Sequence, residues 1–233
     1  MSFELDDQSP YDEETTLAQA QAIAAEVAPN ARILDLGCGV GRVARQLPGG
    51  MQFDGVDRSS EVLAEYAQLP NATVHELDLV GSCEQLPSGP YDGVLMLGNT
   101  LMEVVDPIAG LHLFKEIAQR LVPGGVLVID DFPITGWHEV AVGHWRDGID
   151  EDGEMQMVWA DGDPVFTLRR GTAVDPENWI IAPDERRFRL WSLGELALMG
   201  ALVGLESPLH RNQGAILVMI RGDSPLTETN LPS

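Results

Sequence analysis

The sequence predicts an α/β fold: a doubly wound, mostly parallel seven-stranded sheet with a C-terminal antiparallel hairpin, and a small antiparallel β cap inserted after strand 5. Three observations lead there. Five short apolar runs alternate with helix-spaced stretches through residue 131, the pattern of a parallel sheet covered on both faces. Two more runs close the chain around Asn212-Gln213-Gly214, which reads as a hairpin. Between these regions the texture changes to period-two alternation, as in strands with one face buried.

Residues 1–12 read as a polar arm and 13–28 as an Ala-rich helix, with Glu13 and Glu14 at its positive end. ARILDLG, ending at Gly37, is the first buried strand. The next four runs are 51–57, 72–78, 91–98 and 124–131. The spacing over 108–121 places Leu111, Phe114, Ile117, Ala118 and Leu121 on one helical face. Pro123-Gly124-Gly125 is expected to stop that helix. Strands follow at 155–160, 164–170 and 186–191, with Phe188 and Leu190 facing one way and Arg187 and Arg189 the other. Ser192 and Glu195 have capping-box spacing and open a helix to about Val203. The hairpin strands are expected at 205–209 and 215–221, and 223–233 read as a tail. The whole, 1–233, is expected to be a single domain, with 1–28 as arm and helix and 136–191 as the inserted cap.

Composition narrows the function. Fourteen basic against 37 acidic residues give a net charge of −23, which repels phosphate backbones and anionic lipid. Nucleic acid and membrane surfaces are therefore poor partners. Lys115 is the sole lysine among the 233 residues, a bias that fits a salty or a GC-rich source equally. Cys38 and Cys83 are too few for a disulfide framework and lack zinc spacing, so no metal is expected. No run of about 18 apolar residues exists, and the acidic start is unlike a signal peptide. The cytoplasm is the default compartment.

Ligands of such sheets bind at the carboxyl ends of the strands. The strongest signal there is Ile33-Leu-Asp-Leu-Gly-Cys-Gly-Val-Gly-Arg42. Alternate glycines let the chain turn sharply and let a ligand approach, and a following helix offers free N–H groups to an anion. Such a turn fits a nicotinamide dinucleotide, S-adenosylmethionine, or a purely structural role. The dinucleotide spacing G-x-G-x-x-G is not met, because position 42 is arginine.

The pattern D-x-G-x-G-x-G, with Asp35 two residues before Gly37, resembles motif I of the class I S-adenosylmethionine-dependent methyltransferases. Asp57 and Arg58 at the second run, Asp78 and Leu79 at the third, Gly98-Asn99 at the fourth, and Leu121-Val-Pro-Gly-Gly-Val126 follow in that family's order. The likeness covers roughly 30–131 and 186–221. It implies S-adenosylmethionine as cofactor, held by Asp35, Gly37, Cys38, Gly39, Gly41, Asp57, Arg58, Asp78, Leu79, Gly98 and Asn99. Asp57 is expected on the ribose hydroxyls and Asp78 near the adenine. Loss of the Asp57 carboxylate is expected to leave the cofactor-free fold barely changed. Asp57 also suits a helix cap and Asp78 a plain turn, and Cys38 reads as a space-filler.

In the family that the chain resembles, amino-methyltransferases acting on nucleic-acid bases or on glutamine carry Asn/Asp-Pro-Pro-Tyr/Phe after the fourth strand; here Gly98-Asn99-Thr100-Leu101 stands there, which agrees with the charge in arguing against nucleic acid. The inserted cap is similar in placement to that of small-molecule methyltransferases, which implies a small acceptor with an amine nitrogen or hydroxyl oxygen. An amine must lose its proton before it attacks, and His138 and His144 beyond the fifth run are candidate bases; loop histidines are mostly ordinary polar residues. Trp137, Trp145, Trp159, Trp179 and Trp191 either wall the acceptor or form the cap's own core. The acids from Asp147 to Glu154 attract a cation or simply stay solvated. The arm, with Tyr11 as contact, is expected to act as a lid or to fray. A non-catalytic nucleotide- or partner-binding module remains the alternative.

Overall fold

The computed structural model describes residues 11–130, 145–146, 148–211 and 216–223. Five parallel strands form its centre: β1 Arg32–Leu36, β2 Gln52–Asp57, β3 Ala72–Glu76, β4 Tyr91–Met96 and β5 Leu121–Asp130. Late in the chain, β11 Leu209–Arg211 and β12 Ile216–Ile220 pair antiparallel, and β12 also pairs antiparallel with β5. The seven run in the order β11-β12-β5-β4-β1-β2-β3. The chain reverses direction across the sheet between β1 and β4, so the ends of these strands border a crevice.

Both faces of the sheet are covered. Ile33, Leu95 and Val128 pack with Ile23 of α1 (Glu13–Glu26) and Leu63 and Tyr66 of α2 (Ser60–Tyr66). Leu34, Val94, Met96 and Ile129 pack on the other side with Phe114 and Ile117 of α3 (Pro107–Arg120) and with Leu196 and Met199 of α4 (Leu193–Val203). Strands buried on both sides have no polar face, which is why they read as continuous apolar runs. Local chemistry sets the helix starts. Asp12 accepts from Thr15 N–H at 2.7 Å, Asp106 accepts from Ile108 N–H at 2.8 Å with Pro107 next, and Ser192 and Glu195 form the expected capping box.

Three expectations needed correction. The helix expected after the glycine loop is a single 3₁₀ turn, Ala44–Gln46, because Leu47-Pro48 ends it at once. Pro123-Gly124-Gly125 lies inside β5, where the pairing with β4 shifts between Tyr91 and Gly93 and Gly124 takes φ +76; the helix had already ended at Arg120. The first hairpin strand spans 209–211 instead of 205–209, because Pro208 has no N–H to pair. Its turn at 212–214 lies outside the described residues.

A second, antiparallel sheet has the order β10-β9-β8-β7-β6. Its strands are β6 Trp145–Arg146, β7 Ile149–Asp150, β8 Met155–Trp159, β9 Val165–Arg170 and β10 Phe188–Arg189. The two short leading strands were not legible in the sequence, and the run at 186–191 contributes just two paired residues. Leu190 joins an apolar cluster with Met102, Met157 and Phe166, and Phe188 packs against it. Arg189 turns the other way, as expected, but is buried between Asp163 at 2.7 Å and Glu195 at 2.8 Å. Trp191 is buried, whereas Trp159 and Trp179 stay partly exposed.

Candidate functional site at the carboxyl ends of the strands

A cleft of about 260 Å³ opens where β1, β2, β3 and β4 end. Gly37, Asp57, Arg58, Asp78, Leu79 and Gly98 line it, so one residue or more from each of those four strand ends meets there. The loop after β1 bends because Gly37, Gly39 and Gly41 all take left-handed backbone, at φ +65, +50 and +81. It is tied to β2: the Gly37 and Cys38 N–H groups donate to Val56 O at 2.8 and 3.0 Å. Gly37 also faces Thr100 so closely that a Cβ there would fall 2.3 Å from Oγ1.

Asp57 sits half-buried at the end of β2. Its Oδ2 accepts from Gly39 N–H and its Oδ1 from Ser59 N–H, each at 3.0 Å. The carboxylate thus ties the glycine loop to the end of β2 within the chain itself. Asp78 is exposed two residues beyond β3 and accepts from Val80 N–H at 3.0 Å. That is an Asx-type turn, and it leaves the residue on the cleft wall.

The remaining motif residues lie behind or beside this wall. Asp35 is 6% exposed and accepts from the Tyr66 hydroxyl at 3.1 Å. Burial pushes its carboxyl up to about 7, against the opposing pull of Tyr66 and the Arg42 charge. Cys38 is buried beneath the loop, and burial raises its thiol further from ionisation, which suits a filler and not a nucleophile.

Asn99 and Tyr11 belong to a polar cluster between α1 and the ends of β4 and β5. Asn99 is left-handed at φ 66, and its N–H donates to Asp130 Oδ2 at 2.7 Å. Gln19 of α1 donates to Asp130 Oδ1 at 3.0 Å, and the Tyr11 hydroxyl donates to Asn99 Oδ1 at 3.4 Å. Arg42 donates to Thr16 Oγ1 and Gln19 Oε1 at 2.8 Å each and lies 4.4 Å over the Tyr11 ring. Burial shifts each of these groups toward neutrality: Asp130 and Tyr11 are raised, Arg42 lowered. Sequence reading missed Asp130, Gln19 and Thr16, as well as Thr100 and Glu103 on the cleft wall. Asp130 had a signal, since it ends the fifth apolar run. His138, His144 and the arm before Tyr11 lie outside the described residues. His75 is bonded to Asp54 at 3.1 Å, away from the cleft. Among the described residues there is no group of His, Cys, Asp and Glu that would hold a metal ion.

Residues 33–125 match a family model described as a methyltransferase domain. Over 111 residues the chain is 31% identical to the carboxy-S-adenosyl-L-methionine synthase of Shewanella loihica, a match that covers 45% of this chain and 46% of that one. The chain spans about half the length of the curated relatives it matches. Among solved structures, the CcbJ methyltransferase of Streptomyces caelestis aligns with 94% of this chain and 100% of its own, at 18% identity and a TM-score of 0.65. The sugar N-methyltransferase KedS8 of Streptoalloteichus aligns with 96% of this chain and 97% of its own, at 21% identity and a TM-score of 0.56. Residues 33–125 thus match a methyltransferase domain, and the fold is shared with solved methyltransferases. Among the described residues no helix is long and apolar enough to cross a membrane.

Proposed function

We propose that this chain transfers a methyl group from S-adenosylmethionine to a small molecule, at an amine nitrogen or a hydroxyl oxygen. The observation that carries the reading is the meeting of Gly37, Asp57, Asp78 and Gly98 in one cleft. The donor set suits the cofactor. Asp57 accepts from vicinal ribose hydroxyls, Asp78 from an adenine amino group, and Leu77, Leu79 and Val80 offer an apolar wall to the purine. Gly37, Gly39 and Gly41 place no Cβ between the loop and the cofactor at those positions, and Arg58 and Gly98 complete the wall. Asp35 and Cys38 act indirectly, by filling and fixing the space beneath the loop. Asn99 and Tyr11 border the reacting end.

Bound S-adenosylmethionine supplies an activated methyl on a sulfonium. What the chain adds is alignment of the acceptor and exclusion of water. We assign the second of these to residues 1–28 as a lid and to 136–191 as an acceptor cap, with His138 or His144 as the base that takes the acceptor's proton. The net charge of −23 favours acceptors other than nucleic acid, and the cytoplasm is the compartment we assign. The sugar N-methyltransferase neighbour adds weight to a small amine acceptor.

Calorimetry with S-adenosylhomocysteine is the first test; absence of binding at high micromolar ligand rejects the reading. Radiolabelled methyl passing to small amines or alcohols of a cell extract then separates an enzyme from a non-catalytic binding module. Asp57→Ala is expected to weaken S-adenosylhomocysteine binding by about 1.5–3 kcal/mol, the range for hydrogen bonds to a charged group. It should also lower the unfolding midpoint of the ligand-free protein, since Gly39 N–H and Ser59 N–H lose their acceptor. An unchanged midpoint contradicts the loop-fixing role. For the lid, amide exchange over the first turns of α1 should slow when S-adenosylhomocysteine binds, and unchanged exchange there removes the lid assignment.

A further inference from the structure

The segment after β4 belongs to two places at once. Gly98, Thr100 and Glu103 line the cleft. Between them, Met102 is 7% exposed and packs with Met157, Phe166 and Leu190 of the smaller sheet. Leu101 O accepts from Trp191 Nε1 at 3.0 Å. The turn is stiff: Met102 N–H donates to Asn99 O at 2.9 Å and Val104 N–H to Leu101 O at 3.1 Å. It is also anchored, through Asn99 N–H, to half-buried Asp130.

Glu103 is where the two sides converge. One carboxylate oxygen, Oε1, is paired with Arg186, which leads into β10; the other, Oε2, lies 3.6 Å from Arg58 at the end of β2. Arg58 is itself on the cleft wall and 63% exposed. A ligand that fills the cleft removes water from around this pair, and a charge pair strengthens as its surroundings become less polar. Among the described residues the gain runs through Glu103, and the same carboxylate is paired with Arg186, which leads into the smaller sheet.

We propose that Glu103 is a positioning residue that makes the cap respond to the cofactor. The Arg58–Glu103–Arg186 bridge couples occupancy of the cleft to the order of the sheet that covers the acceptor. This rests on the cofactor reading above. By reciprocity, a cap ordered by its own ligand tightens the cofactor cleft.

The test is amide exchange across β8 and β9 of the full chain, with and without saturating S-adenosylhomocysteine, in the parent, Glu103→Gln and Arg186→Gln. Calorimetry and unfolding midpoints run in parallel. In the parent, exchange is expected to slow about tenfold on binding, within the usual range of site-to-site coupling. In each variant S-adenosylhomocysteine should still bind while the slowing in β8 and β9 is lost, and the double variant should behave like either single one. Equal slowing in parent and variants, or none in the parent despite binding, overturns the coupling and leaves the cofactor reading intact. No binding by the parent overturns the cofactor reading itself. If Glu103→Gln fails to fold, Arg186→Gln breaks the same bridge from the cap side and decides the question alone.

Discussion

Gly37→Ala is expected to abolish cofactor binding while Gly39→Ala merely weakens it. Both glycines are left-handed, at φ +65 and +50, so each alanine carries backbone strain of about 1–2 kcal/mol. Only at Gly37 does the new methyl collide, 2.3 Å from Thr100 Oγ1 and 2.6 Å from Cγ2; at Gly39 nothing lies within 4 Å. The collision pushes the loop and the turn after β4 apart, and both belong to the cleft. All three nearest atoms belong to the Thr100 side chain, so Gly37→Ala/Thr100→Gly should recover much of the binding. Calorimetric titration of the single and double variants checks this, and failure of Thr100→Gly to restore any affinity contradicts the steric account.

The second large effect concerns pH. Asp35 is raised to about 7 by burial, with Asp57 adding to the rise and Tyr66 and Arg42 opposing it. The folded protein therefore holds a proton that the unfolded chain releases near pH 4. With more protons bound in the folded state, stability falls as pH rises. The loss begins near pH 4, is complete near pH 7, and is flat above. Over that window it amounts to on the order of 4 kcal/mol, at 1.36 kcal/mol per unit. Asp35→Asn removes this slope and still offers an acceptor to Tyr66. Relative to the parent, the variant should gain stability steadily from pH 4 to 7 and no further. Urea titrations at each pH give the difference curve; a difference independent of pH means that Asp35 stays charged in the fold.

The alternation of strands and helices was legible because each central strand buries both faces, so Ile33 and Leu34 are apolar for opposite neighbours. The strand-end residues Asp57, Asp78 and Gly98 were legible because their places follow from where the runs stop. Glu103 was not. It sits on a 3₁₀ turn without periodicity, and its partners Arg58 and Arg186 are remote in sequence. The inner face of α1 was not legible either, for the same kind of reason. Thr16 and Gln19 look like solvent residues, yet both are buried against Arg42. Asp130 ends an apolar run, but its contacts with Gln19 and Asn99 reach 111 and 31 residues away and leave no local signal.

The small apolar cluster of the second sheet has four buried members, and one of them, Met102, is supplied by the turn after β4. Much of the remaining interior is ionic, with Arg169 held by Glu185 at 2.6 Å and Arg189 by Asp163 and Glu195. A module held this way does not travel by itself. Glu195 and Met102 lie outside its strands, so residues 145–190 transplanted onto another scaffold would leave a hole where a methionine belongs and a buried guanidinium short of one partner. Chimeras of this fold should therefore keep a stable second sheet when the turn and the sheet are exchanged as a pair.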